Sequence, residues 1–256
     1  MNNLLLVGFV FTILIIYYRK TFIIKTFSNT QSWDKDLSDQ IMNDLRVDKL
    51  TKISIIPPLD NNSYKRKKEI KYICYLQKLY NTEENKQKTI LEKKLTHTIE
   101  YIDDKTIINS SQYNNLHYFI KYSLNPLIIS IKNYFDTVRP SFLGSCVNET
   151  LFLEGNPGHP SYPSGHSFQS HFIAYLLINY VNVIDHPEKS KLIKQYLQRA
   201  NDVSVRREIA GVHYKSDTNY GKLLALEISD ILFNETIDVL NDKIYIHNKK
   251  WEQILS

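Results

Sequence analysis

The sequence predicts an all-α protein, a helical bundle with long loops between some of its helices. Three observations carry this. Apolar residues recur at helical spacing in several separate stretches, strand-like alternation is weak throughout, and glycine is scarce, 7 in 256 residues. That length makes one sizeable domain or two small ones. The apolar content is ample for a core. A net charge of +5 suits an acidic small substrate or a membrane surface. It is too small and too dispersed to point to nucleic acid, which is not expected as a partner. No internal repeat is visible.

Leu4 to Tyr18 is an almost unbroken apolar run, followed by Arg19 and Lys20. It is short of the roughly 20 residues of a full span, long for a signal-peptide core, and lacks a small-residue cleavage site. Residues 1–25 are therefore read as a single-pass N-terminal membrane anchor, a transmembrane helix. A cleaved signal on a secreted protein and a helix docked on the domain are the rivals. The cations behind the run favour a cytoplasmic domain. The sequons at Asn61, Asn109, Asn148 and Asn234 point the other way, but an Asn-rich chain makes such triplets by chance. Residues 26–52 read as a polar tether and a short amphipathic helix, Asp34 to Leu45.

Ile53 to Ile56 is extended, and Pro57-Pro58 enforces that. Ser63 caps a helix from Tyr64 to Leu79, with Ile70, Ile73, Cys74, Leu76 and Leu79 towards one face. The charge run Lys65-Arg66-Lys67-Lys68 at its start reads as a solvated face. A second helix covers Glu83 to Lys94, and Thr98 to Ile108 is ambiguous. Tyr113 to Val138 holds one or two helices, broken near Asn125-Pro126. Phe172 to Ile184 is a core helix, Glu188 to Val205 another, and Thr218 to Leu240 a last one. Cys74 and Cys146 are far apart and can pair, but two free thiols are the preferred reading.

Three short motifs carry chemistry. Lys132 and Arg139 are seven apart, which places both on one helical face, roughly 10 Å apart along the axis. Pro140 ends that helix and leaves Arg139 at its rim. Pro163-Ser164-Gly165-His166 lies where a Pro- and Gly-rich loop turns into the core helix. Free N–H groups at a helix start, with a Gly allowing close approach, make an anion site. Arg207, His213 and Asp217 form the third. A spacing of four puts the carboxylate on the same helical face as the imidazole, fixing its tautomer and leaving the other ring nitrogen to attack. Gly211 offers the break that brings Arg207 round. Each motif alone is an ordinary surface pair, helix cap or satisfied buried histidine. Together they are a kit for phosphoryl transfer: guanidinium forks and a Lys on phosphate, a nucleophilic His held by a carboxylate, and a second His as acid. No residues stand at metal-ligand spacing, so no metal or other cofactor is needed.

Lys132-x6-Arg139-Pro140, Pro163-Ser164-Gly165-His166 and Arg207-x5-His213-x3-Asp217 resemble the three-part signature of the type 2 phosphatidic acid phosphatase / vanadium haloperoxidase superfamily. The chain looks most similar to class A nonspecific acid phosphatases. Ser161-Tyr162, Gly211-Val212-His213-Tyr214 and Ile56-Pro57-Pro58 fit that group. The resemblance covers roughly Ile53 to Leu240 and implies a catalytic domain at residues 53–245, a helical bundle of the acid phosphatase / haloperoxidase type. It implies that Lys132, Arg139 and Arg207 bind phosphate and that Ser164 and Gly165 donate hydrogen bonds to it. His213 would become a phosphohistidine, Asp217 would orient it, and His166 would protonate the leaving alkoxide and then activate water. The family usually has Ser before the third-motif Arg, where this chain has Arg206, read as a surface neighbour. Lys215 stands where many relatives carry Pro. The long gap between the first two motifs would form a substrate-shaping loop, with His159 read as exposed. His97, His117, His171, His186 and His247 are read as structural or surface residues.

The expected activity is hydrolysis of phosphate monoesters. The alternatives are a haloperoxidase that holds vanadate as cofactor, a lipid phosphate phosphatase delivered by the N-terminal anchor, and a non-catalytic anion-binding module.

Overall fold

The computed structural model describes residues 53–104, 107–148 and 158–241. The apolar run at 4–18, the predicted tether and short helix of 26–52, His247 and residues 149–157 fall outside them. Among the described residues the chain is helical, with no strand. The helices are α1 (Tyr64–Tyr80), α2 (Glu83–Leu91), α3 (Leu95–Asp103), α4 (Ser110–Phe119), α5 (Asn125–Phe135), α6 (Pro140–Leu143), α7 (Gly165–Val183), α8 (Lys189–Ile209), α9 (Lys215–Ile231) and α10 (Phe233–Leu240). None of them is long and apolar enough to cross a membrane.

Local chemistry explains the starts. The Ser63 side chain accepts from Arg66 N at α1, and Thr82 does the same for Asn85 N at α2. Asn109 and Gln112 form a reciprocal capping box at α4. The break expected near Asn125-Pro126 is a π turn, Ile120–Leu124. Proline lacks an N–H and crowds the preceding turn. Here the widened turn absorbs it, and Asn125 N–H reaches Ile120 O. The predicted Thr218–Leu240 helix is two helices, because the ladder breaks at Leu232 between α9 and α10. The ambiguous Thr98–Ile108 stretch is helical only to Asp103, where Asp104 turns left-handed at φ 56°.

The core is built around α7, which packs most extensively against α8 and α9 and is flanked by α3, α5 and α10. Phe168, Phe172, Ile173, Leu176 and Leu177 of α7 are fully buried among Tyr196 and Ala200 of α8 and Leu224, Ala225 and Ile228 of α9. The α7–α9 crossing is close at Gly221. A Cβ there would lie 2.6 Å from Ser164 O and 3.1 Å from Phe168 N. The extended entry at Ile53 to Pro58 has no strand partner among the described residues. It is held by side chains: Tyr162 Oη donates to Ile56 O at 2.6 Å, and Tyr220 Oη to Ser54 O at 3.0 Å.

Three expectations need correction. Cys74 and Cys146 are not free thiols but form a disulfide between α1 and the segment after α6. Gln77, one turn further along α1, doubles that link by exchanging hydrogen bonds with the Asn148 backbone at 2.8 and 3.0 Å. The charge run at the start of α1 is not uniformly solvated. Arg66 is completely buried, paired with Glu69 at 2.8 Å and stacked 3.7 Å from the Tyr214 ring centroid. Leu79, placed on the inner face of α1, is 51% exposed, because the helix leaves the core before its last turn.

Candidate active site

Three segments converge beside the N-terminus of α7: the end of α5 with the chain to α6, the 159–166 stretch, and the turn between α8 and α9. Lys132 lies in the last turn of α5. That helix ends at Phe135 with Asp136 left-handed at φ 43°. Arg139 is therefore not on the same helix face as Lys132, as spacing alone suggested. It stands on extended backbone, and Pro140 opens α6 rather than ending α5. The two cations still meet. Lys132 Nζ donates to Pro160 O and Ser161 O, each at 2.9 Å, while Arg139 donates to His159 O at 3.1 Å and to Val212 O.

The α8–α9 turn is made by Gly211 at φ +72°, in the left-handed region where glycine carries no Cβ penalty. It reverses the chain after Arg207. His213 and Asp217 do not share a helical face, because α9 begins only at Lys215. Asp217 lies in the first turn and reaches back. Its Oδ2 accepts from Tyr214 N at 3.1 Å and from Ser161 Oγ at 2.5 Å, and it faces His213 Nδ1 at 3.3 Å. A carboxylate only accepts, so Nδ1 carries the proton and the Nε2 lone pair is free. The pairing expected from the spacing thus exists as a helix cap and not as an i, i+4 stack.

Ser164 caps α7 by accepting from Ser167 N, and its own N–H donates to Asp217 O at 3.1 Å. That N–H is committed to protein, whereas the hydroxyl keeps its proton to donate. Gly165 and His166 open the helix, where N–H groups lack intrahelical partners. A Cβ at Gly165 would meet Ile128 and Lys132 at an ordinary 3.9 Å, which places the Lys132 stem against this helix start. Arg207 sits in the last turn of α8 and donates to Thr89 O and to Glu92 Oε2, both at 3.1 Å. Its Nε is buried without a hydrogen-bond partner. A buried orphan donor of this kind costs about 1–3 kcal/mol, and an anion would satisfy it.

Burial and charge act together here. Lys132, Arg139, Arg207, His213 and Asp217 are each at most 2% exposed. Burial, reinforced by Lys132, Arg139 and Arg207, holds His213 well below the usual histidine range, so the ring is neutral. Burial and then Arg207 and His213 do the same to His166. Burial and then Arg139 push Lys132 down, and Asp217 opposes this. The Asp217 carboxyl is raised by burial, against the Ser161 hydrogen bond and Arg66. Such a set is short of negative charge. A bound dianion would lift the cations and His166 back towards their protonated forms.

The structure also corrects the surroundings. Arg206 is not a surface neighbour. It is 6% exposed, and its Nε donates to Glu92 Oε1 at 2.6 Å. Glu92 is thus shared between both arginines, and Arg207 is the one turned to the histidines. His159 is not an exposed loop residue. Its Nδ1 lies 3.1 Å from Arg139 Nη2, and burial next to Lys132 and Arg139 lowers its pKa to about 2. His171 is structural, as read: it is buried, and its Nδ1 donates to Ser167 O at 2.9 Å. The sequence reading gave Ser161, Glu92 and Arg66 no part in the site. Ser161 lies two residues before the second motif, so its position was a usable signal. Glu92 comes from the end of α2 and Arg66 from α1, with no local pattern to mark them.

Among the described residues no group of three or more His, Cys, Asp or Glu could hold a metal ion. The residues suited to a phosphate are equally suited to a tetrahedral or trigonal-bipyramidal oxyanion such as vanadate. Scanned against protein-family models and against curated proteins, the sequence matches none of them.

Proposed function

We propose that this protein is a metal-independent phosphatase that hydrolyses phosphate monoesters through a phosphohistidine. The observation that carries this is the Nδ1 of a neutral, buried His213 held 3.3 Å from the Asp217 carboxylate, inside a set of buried cations. Lys132, Arg139 and Arg207 hold the phosphoryl oxygens, with the Ser164 hydroxyl and the N–H groups opening α7. His213 Nε2 attacks phosphorus as the P–O ester bond breaks. His166, which acquires its proton as the dianion binds, gives it to the departing oxygen. Water then attacks phosphorus, the P–N bond to His213 breaks, and the water's proton passes to His166. Inorganic phosphate leaves and His213 returns to neutral. Catalysis comes from charge placed in advance around the equatorial oxygens. The apolar N-terminal run would tether this domain to a membrane, so lipid phosphates belong in the substrate panel.

The test is turnover of 4-nitrophenyl phosphate by the full-length chain in detergent, with chelator, with and without vanadate, beside His213→Ala. Activity should survive chelator, stop with vanadate, and fall at least about a thousandfold in the variant. Equal activity in the variant would exclude the phosphohistidine. Inactivity of the wild type on a panel of esters would leave vanadate-supported halide oxidation, and then plain anion binding, as the readings to pursue.

A further inference from the structure

A cleft of about 440 Å³ opens beside His166. Lys93, Lys94, Lys121 and His117 line it, and no Asp or Glu does among the described residues. Its three lysines are exposed, and the backbone that carries them is held in place. Lys93 and Lys94 stand in the turn that ends α2, where their N–H groups donate to Ile90 O and Leu91 O at 3.1 Å. The residue before them is Glu92, whose carboxylate grips Arg206 and Arg207. The ion pair that anchors Arg207 therefore also fixes the lysine pair relative to His166. Lys121 comes from the π turn, a distortion that often marks functional positions. On the remaining wall Gln169 donates to Asn125 Oδ1 at 2.8 Å, tying α7 to α5.

The direction of the chemistry gives the cleft a role. His166 is the group that protonates the departing oxygen, so the space on its outer side receives the leaving group. This rests on the phosphatase reading above. We propose that the cleft is a leaving-group subsite for an anion, so that the preferred substrates are phosphate monoesters whose leaving group carries a second phosphoryl-type dianion. A cleft lined by Lys93, Lys94 and Lys121, with no carboxylate in its lining among the described residues, attracts such a group, and attraction of this kind weakens with added salt.

Two synthetic substrates separate the possibilities: butyl phosphate, and 4-phosphonobutyl phosphate, which has the same cleavable ester plus a dianion that cannot be cleaved. With the full-length chain, kcat/KM should favour the phosphono substrate by on the order of tenfold at low salt. The ratio should collapse towards one in the Lys93→Gln, Lys94→Gln double variant and in high salt. The ratio is read within each variant, so it does not depend on how much of that variant is folded. Turnover of both substrates at equal rates would overturn the subsite and leave the phosphatase. A preference that survives both the double variant and salt would also overturn it. No turnover of either substrate by a chain that hydrolyses 4-nitrophenyl phosphate would overturn the subsite alone, and no turnover of all three would overturn the catalytic reading with it.

Discussion

His166 and His213 are both driven towards neutrality by burial among cations, yet the proposed reaction needs one of them protonated. Since burial and neighbouring cations leave His166 its proton only below the ordinary histidine range, the proposed reaction draws on the acid form of the free enzyme. The rate should fall as pH rises. The limb should sit higher in kcat than in kcat/KM, because a bound dianion keeps the proton on His166. A kcat profile with a poor, alkoxide leaving group, compared with His166→Ala, checks this. A rate that keeps rising into alkaline solution would remove His166 as the acid. Arg66 is a second residue-scale case. Its guanidinium is buried, bonded to Glu69, Ser216 and Leu59 O, and stacked on Tyr214. Arg66→Met strips a partly buried pair of its cation and should destabilise the fold by roughly 3 kcal/mol. Urea unfolding measures it, and a change within about 0.5 kcal/mol would show the pair to be idle.

Between elements, the decisive contact is α7 against α9. These helices carry His166 and Asp217, and their approach is set by Gly221, where a Cβ would strike Ser164 O. Ser167 Oγ donates to Thr218 O at 2.8 Å across the same seam. Gly221→Ala must push the helices apart, so it should cost about 1–3 kcal/mol despite alanine's better helix propensity. It should also lower kcat more than KM, since the His213–Asp217 turn moves with α9. Wild-type stability in the variant would mean that the seam yields. The seam was not legible in sequence. Gly221 lies inside a strongly helical pattern, and nothing local says which neighbour it meets. The helices themselves were legible, because α1, α7 and α8 each announce an apolar face or a cap.

Across the whole molecule, the Cys74–Cys146 bridge and the Gln77–Asn148 bonds clamp the segment after α6 onto α1. Gly211 abuts the same segment, with a Cβ there only 2.7 Å from Gln77 Nε2 and Val147 Cγ1. The turn that presents His213 is therefore braced by the disulfide. Closing a loop of 72 residues is worth about 4 kcal/mol in the chain-entropy picture. Reductant, or Cys74→Ser, should lower Tm by about 10 °C. A thermal melt with and without reductant checks it, and an unchanged Tm would show that the bridge does not form in solution.

Composition and periodicity settled the helical class, and motif order selected Lys132, Arg139, His166, Arg207, His213 and Asp217 as the residues to examine. These signals are local: a 3.6-residue period, a cap, a Pro or a Gly leaves its mark within a turn or two. The tertiary structure decided how the residues meet. It put Arg139 on a separate segment from Lys132 and made Asp217 a cap that reaches back to His213. It buried Arg66 and Arg206 against Glu69 and Glu92 and joined two cysteines read as free. Each of these is a contact between segments distant in the chain. Such contacts follow from the packing of whole helices, and no short window of sequence carries that information.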